Sequence, residues 1–172
     1  MWLNHAWSRT AAIFALAAIP FAAAPAEKEA KAPSAQMIER GRYMIVTGHC
    51  NNCHTAGYAA KEGNVPEKAW LLGSGPLGFR GPWGTTYATN LRLFLKDMSE
   101  SQWVKYAKTF RARGPMPYWS VNETSEADLR AMYHYIRQLG PVGEPAQAYL
   151  TPDREPKPPF ITWPTPPKGP GK

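Results

Sequence analysis

The sequence predicts an all-α fold in which three main helices are joined by long loops rich in glycine and proline. Three observations predict it. Apolar residues recur at helical spacing in three separate segments, each segment opens on a serine placed to cap it, and strand-type alternation is almost absent. Ser34 caps a first helix from about Ala35 to Thr47, with Met37, Gly41, Met44, Ile45 and Gly48 on one face. A glycine inside an apolar stripe costs helix stability, which makes sense where another helix crosses closely at Gly41. Ser99-Glu100-Ser101-Gln102 has the form of a capping box, with Met98 and Trp103 placed as a hydrophobic staple, and opens a second helix from about Glu100 to Arg111. Ser125 with Asp128 starts a third, from Glu126 to Leu139, ended by Gly140-Pro141. Its stripe is Leu129, Met132, Tyr133, Ile136 and Leu139, with Tyr135 at one edge.

The ends of the 172-residue chain differ in composition from this middle. Met1 to Arg9 is short and polar, Thr10 to Ala24 is apolar, and Ala24-Pro25-Ala26 offers the small residues that a signal peptidase reads. The apolar run is shorter than the roughly 20 residues a spanning helix needs, so residues 1–26 are read as a cleaved export signal that places the mature protein in the periplasm. Residues 27–34 form a charged, alanine-rich leader, and 35–140 make one compact domain. The tail, 141–172, holds ten of the eighteen prolines. Proline at that density sustains neither a helix nor a sheet interior, so the tail is expected to be extended. Its apolar residues Tyr149, Leu150, Phe160, Ile161 and Trp163 suit a segment that wraps its own domain or serves a partner. The formal charge of +7 admits nucleic acid, a membrane surface or an acidic protein; export and the lack of a Lys/Arg run speak against nucleic acid.

The chemistry is concentrated in Cys50-Asn51-Asn52-Cys53-His54, which contains both cysteines of the chain. Cys-x-x-Cys-His is the spacing that attaches a c-type haem. Two thioethers to neighbouring vinyl groups need thiols a short turn apart, and the next histidine then lies beneath the iron. A thiol redox pair would open the helix of a βαβ unit, and no strand pattern precedes this one. A zinc site would need two more ligands at paired spacing, which His5, His49 and His134 do not offer. One covalently held haem c, through Cys50 and Cys53, is therefore the expected cofactor, with His54 as one iron ligand. The glycine- and proline-rich run from Leu72 to Gly84 can approach such a ring closely.

Opposite His54, Met116 is the favoured second ligand. It lies in Arg113-Gly114-Pro115-Met116-Pro117-Tyr118-Trp119, where two prolines stiffen the backbone on either side. Met98 is better used as the staple, Met132 as core of the third helix, and Met37 and Met44 on the stripe of the first. His134 has Arg130, Ala131, Arg137 and Gln138 as helical neighbours, a polar face, and His49 is too close to Cys50 to reach across the ring. A thioether opposite an imidazole favours ferrous iron and leaves no open coordination position. The implied activity is one-electron transfer.

With these features in order, the stretch from Ala35 to Gly140 resembles a mono-haem cytochrome c of the small soluble type. The likeness rests on the Gly41 helix, the Cys50–His54 motif, Thr89-Asn90-Leu91, Met116-Pro117 and the Leu129–Leu139 helix. Tyr87-Ala88-Thr89-Asn90-Leu91 is also similar to haem modules in the cytochrome subunits of bacterial membrane-bound alcohol and gluconate dehydrogenases. Those modules carry a Pro-Asp turn after the asparagine where this chain has Arg92-Leu93. The resemblance implies a cytochrome c fold whose first and third helices cross at Gly41, covered by Tyr135 or Tyr133. It implies that a proline carbonyl, of Pro76 or Pro82, accepts a hydrogen bond from His54. It also places Asn90, Tyr87, Trp83 and Arg80 near the haem propionates. The expected partners are redox proteins: a donor dehydrogenase or quinol-oxidising complex and an acceptor oxidase or reductase, within reach of a membrane-associated complex. Lys105, Lys108, Arg111 and Arg113 precede Met116 and would form a basic rim for an acidic partner. The alternative is a haem-carrying subunit of a periplasmic dehydrogenase or sulfur-oxidising enzyme. The chain is read as an electron carrier, not an enzyme in its own right.

Overall fold

The computed structural model describes residues 32–164. The export signal, most of the leader and the last prolines of the tail lie outside the described residues. Element boundaries follow the local chemistry. Helix α1 (Ala35–Thr47) starts where Ser34 accepts the Met37 amide, and ends at Gly48. Helix α4 (Glu100–Thr109) carries a complete capping box, with Ser99 and Gln102 satisfying each other's backbone amides. Helix α6 (Glu126–Gln138) begins where Ser125 accepts from the amide of Asp128. All three predicted helices are present, the second and third one or two residues shorter at their C-termini than expected.

Three further helices of about a turn or two were not predicted: α2 (Cys50–His54), α3 (Leu91–Phe94) and α5 (Tyr118–Glu123). The expected all-α class stands only in part, because a small sheet accompanies the helices. Strands β1 (Gly78–Gly81), β2 (Gly84–Thr86) and β3 (Phe160–Thr162) form a small sheet in the order β2-β1-β3. The β1–β2 pair is an antiparallel hairpin, whereas β3 returns from the tail to pair parallel to β1, Phe79 opposite Ile161. Strands of three or four residues are too short to print an alternating pattern, so this sheet left no periodic signal.

The core lies where α1, α4 and α6 meet. Ile45, Leu71, Leu95, Ala107, Leu129, Met132, Tyr135 and Ile136 are buried there with Trp70, Trp103 and Val104. Trp103 does not waste its indole N–H, which donates to Leu129 O of α6 at 2.8 Å. Helices α1 and α6 meet at Gly41, whose backbone lies against the Ala131 backbone and Tyr135 Cβ. A Cβ placed there would collide with Ala131 O and lie only 2.7 Å from Tyr135 Cβ, so the crossing requires glycine. Tyr135, rather than Tyr133, covers the contact. Tyr133 instead reaches α4's entry and donates to Met98 O.

Outside the core, α4 and α6 are tied by charge. Glu100 takes Arg130 and His134 on its two oxygens, His134 Nε2 at 2.7 Å, and these partners hold the Glu100 carboxyl below its usual range. Arg130 and His134 of α6 are thereby engaged with α4, while Arg137 on the same face donates to Leu95 O and Lys96 O. Among the described residues no helix is long and apolar enough to cross a membrane.

Candidate haem site

The site begins with a one-turn helix. His49 takes left-handed backbone angles (φ 58°), which turns the chain sharply out of α1 and into α2. On that turn Cys50 and His54 are four residues apart and share a face, with Cys53 beside them. Both thiols are free. Burial pushes the Cys50 thiol up to about 11, and the Cys53 thiol is also raised by burial. Neither has the lowered value of an activated redox pair. The helix preceding α2 is α1, so no βαβ setting surrounds the pair. Among the described residues no three His, Cys, Asp or Glu groups assemble into a metal cluster of their own.

His54 is buried, and its Nδ1 lies 2.7 Å from Thr89 O. The expectation of a proline carbonyl from Pro76 or Pro82 is therefore corrected: the acceptor is the backbone carbonyl of Thr89, directly before Asn90. Burial lowers the imidazole's pKa, partly opposed by that hydrogen bond, and because a carbonyl oxygen can only accept, Nδ1 is the donor. Nε2 has no hydrogen-bond partner among the described residues, which leaves its lone pair available. The backbone around the histidine is fixed from the other side. Gly73 N donates to His54 O at 2.8 Å, and Thr55 Oγ1 donates to Asn51 and accepts from Leu71 N. These residues fit a haem c. Two unpaired thiols and an imidazole with one nitrogen held and the other free sit on a single helical turn, the donor set that thioether attachment and axial ligation require.

The other predicted residues are placed as follows. Met116 is half-buried in the turn before α5, where Tyr118 N donates to its carbonyl at 2.9 Å. Aromatic rings step along the neighbouring surface: Phe94 against Tyr106, Tyr106 against Phe110, and Phe110 against Tyr118. Tyr87 lines a shallow cavity with Thr89, Leu93 and Phe94. Asn90 is buried, and its amide has a structural task. Oδ1 caps α3 by accepting from the Arg92 and Leu93 amides, while Nδ2 donates to Val142 O and Glu144 O. Arg80 faces the tail, bonded to Arg154 O and paired with Glu155 at 3.0 Å. Trp83 donates to Phe79 O, and its ring packs against Gly114 in the turn that carries Met116. Asn90, Arg80 and Trp83 thus spend their donors within the protein.

Two residues escaped sequence reasoning. Thr89 acts through its carbonyl, which no side-chain pattern reports. Arg92 is buried and donates to Gly140 O at 2.6 Å, to Lys68 O at 2.9 Å and to Leu139 O. Only its mismatch with the Pro-Asp turn of similar modules marked it. Of the basic rim, Lys108 and Arg111 both bond Asn122, and Arg113 lies over the ring of Tyr149.

The sequence profile of the family described as Cytochrome c matches residues 38–140, more than half of the chain, including Cys50, Cys53, His54, Thr89 and Met116. The chain belongs to the cytochrome c family. It is an electron-transfer haem protein carrying haem c, and its Cys50 and Cys53 stand at the attachment spacing. Its relatives include a nicotinate dehydrogenase subunit from Pseudomonas putida, 29% identical over 67% of this chain and 10% of that protein. The cytochrome c subunit of a quinone alcohol dehydrogenase from Gluconacetobacter polyoxogenes is 29% identical over 67% of this chain and 27% of its own length. The corresponding subunit from Gluconobacter oxydans is 28% identical over 94% of this chain and 31% of its own. This cytochrome therefore spans less than a third of each of these relatives. No solved structure matches it.

Proposed function

We propose that the chain is an exported carrier of single electrons whose haem is ligated by His54 on one side and Met116 on the other. The observation that carries this reading is the imidazole of His54, fixed by Thr89 O at Nδ1 and free at Nε2, on the turn that bears both thiols. Bound haem c supplies the one-electron couple. The protein's part is to hold it. The Thr89 carbonyl fixes the tautomer and ring orientation of His54 and raises its basicity. The half-buried Met116 offers a soft, neutral thioether, which raises the reduction potential relative to a second histidine. Of the four residues expected at the propionates, Tyr87 is the one whose side chain has no hydrogen bond among the described residues, and we keep it as the donor there.

Export rests on the signal-like residues 1–26, and a periplasmic location follows from it. A second reading is favoured by the relatives, which are dehydrogenase subunits: the chain serves as the electron-transfer subunit of a periplasmic dehydrogenase complex. Co-purification of a stable dehydrogenase partner would select it over a free shuttle. The carrier reading is tested by titrating the purified holoprotein potentiometrically and offering the ferrous form carbon monoxide. The expected result is a one-electron transition and no rapid carbon monoxide binding. Rapid binding by the untreated protein would reveal an open iron position and a ligand-binding or peroxidase-like role instead.

A further inference from the structure

We propose that the proline-rich tail, through Tyr149, is a strap that holds the Met116 turn in place, making Tyr149 a positioning residue for the second iron ligand. The inference rests on the ligand reading above. Its starting point is a continuous set of contacts from the tail to Gly114, two residues before Met116.

The tail is docked by backbone pairing at three places. Thr85 and Leu150 exchange both amide bonds, at 2.8 and 3.0 Å. Gly78 N donates to Pro159 O, and β3 then runs beside β1, where Trp163 N donates to Arg80 O at 2.6 Å. At the first of these places Tyr149 is wedged between two segments far away in sequence. Its hydroxyl donates to Trp83 O at 2.7 Å, and its ring carries the Arg113 guanidinium 4.1 Å above its centre. The approach is close enough to require glycine at position 84. A Cβ there would lie 2.9 Å from the Tyr149 ring and would strike Leu150 O, and φ is +98°.

Arg113 is chemically bonded to Gly114, so the cation over Tyr149 ties the turn directly to the tail. Trp83 ties it a second time. Its indole lies against Gly114, where an added Cβ would be 2.5 Å from the ring. Thr86 Oγ1 adds a third tie, donating to Gly114 O at 2.8 Å. Met116 is thus presented from a turn anchored on β2, and β2 is itself clamped by residues 149 and 150. Removing the wedge would leave the turn with fewer restraints, and the thioether would dissociate from iron more often. Ligand exchange at the sulfur side would accelerate, while the Cys50–His54 turn, which has no hydrogen bond to the tail among the described residues, would be untouched.

The test is the rate of cyanide binding to the ferric holoprotein, because cyanide must wait for the methionine to leave. Tyr149→Leu and Arg113→Gln are each expected to bind cyanide about tenfold faster than wild type, with the Soret band retained. Arg113→Gln alters only an exposed side chain and serves where Tyr149→Leu folds poorly. A tail that merely stabilises the fold would lower the thermal midpoint of these variants and leave the cyanide rate unchanged, and that result overturns the proposal. Met116→Ala separates the two claims. If it binds cyanide no faster than wild type, the ligand reading fails; if it is fast while Tyr149→Leu and Arg113→Gln keep the wild-type rate, the strap alone fails.

Discussion

Gly41→Val is expected to destabilise the holoprotein by more than about 3 kcal/mol. The two helices that frame the core, α1 and α6, meet at this residue with no space for a side chain. Even the first carbon of valine would overlap Ala131 O, approach Ala131 C to 2.6 Å and Tyr135 Cβ to 2.7 Å. Two of these obstacles are backbone, so no rotamer change relieves them; α1 must back away from α6. That movement loosens Ile45, Tyr135 and Ile136, all nearly inaccessible, and close-packed interiors do not absorb such shifts cheaply. Helix α2 follows α1 within three residues, so the displacement also disturbs Cys50 and His54. Urea unfolding monitored by tryptophan fluorescence reads the effect as a lower midpoint, together with a poor yield of haem-loaded protein. A wild-type midpoint for Gly41→Val would mean that the helices do not cross here.

The second large effect belongs to Arg92→Met, expected to cost about 3 kcal/mol. Arg92 is a buried guanidinium that spends its donors on three backbone carbonyls. Those of Leu139 and Gly140 lie at the end of α6, where the helix leaves carbonyls unpaired and its dipole is negative. The third, of Lys68, belongs to the short 3-10 turn Glu67–Ala69 before Trp70. Burial pulls the guanidinium pKa down from its ordinary value, yet an arginine remains charged at neutral pH. Methionine matches much of the stem's volume and leaves all three oxygens without a donor. Lysine, a point charge without the planar fork, would not reach all three, so Arg92→Lys should recover only part of the loss. Thermal unfolding should show Arg92→Met lowered by roughly 10 °C, with the haem spectrum of the folded protein preserved. An unchanged midpoint would remove Arg92 from the structural account.

The parts of the fold that were legible in the sequence are those governed by neighbours along the chain. Ser34, the Ser99–Gln102 capping box and Ser125 fixed the helix starts, because a cap is a contact between residues three apart. The attachment motif was legible for the same reason, being contained in one turn. Gly41 was legible because a glycine inside an apolar stripe has a cost that only a close helix contact offsets. What stayed hidden joins distant segments through backbone atoms. The acceptor for His54 is the carbonyl of Thr89, thirty-five residues on, and a carbonyl is common to every residue type. Prolines 76 and 82 were attractive only through resemblance. The parallel pairing of β3 with β1 crosses about eighty residues, and proline in the tail masked it, because a strand at the sheet edge tolerates residues that a central strand does not. Asn90 was noticed for its position, but not for its partners: its amide holds Val142 and Glu144 and caps α3. A side chain's type tells what it can bond, while its actual partner depends on which loops return to meet it.

The ferric absorbance spectrum of Met116→Ala beside that of the wild type bears most directly on the proposed pairing of imidazole and thioether. The wild type should show the weak long-wavelength band of a sulfur-ligated ferric haem, and the variant should lose that band while keeping its Soret absorbance, since Cys50, Cys53 and His54 are intact. Persistence of the band in Met116→Ala would contradict the account.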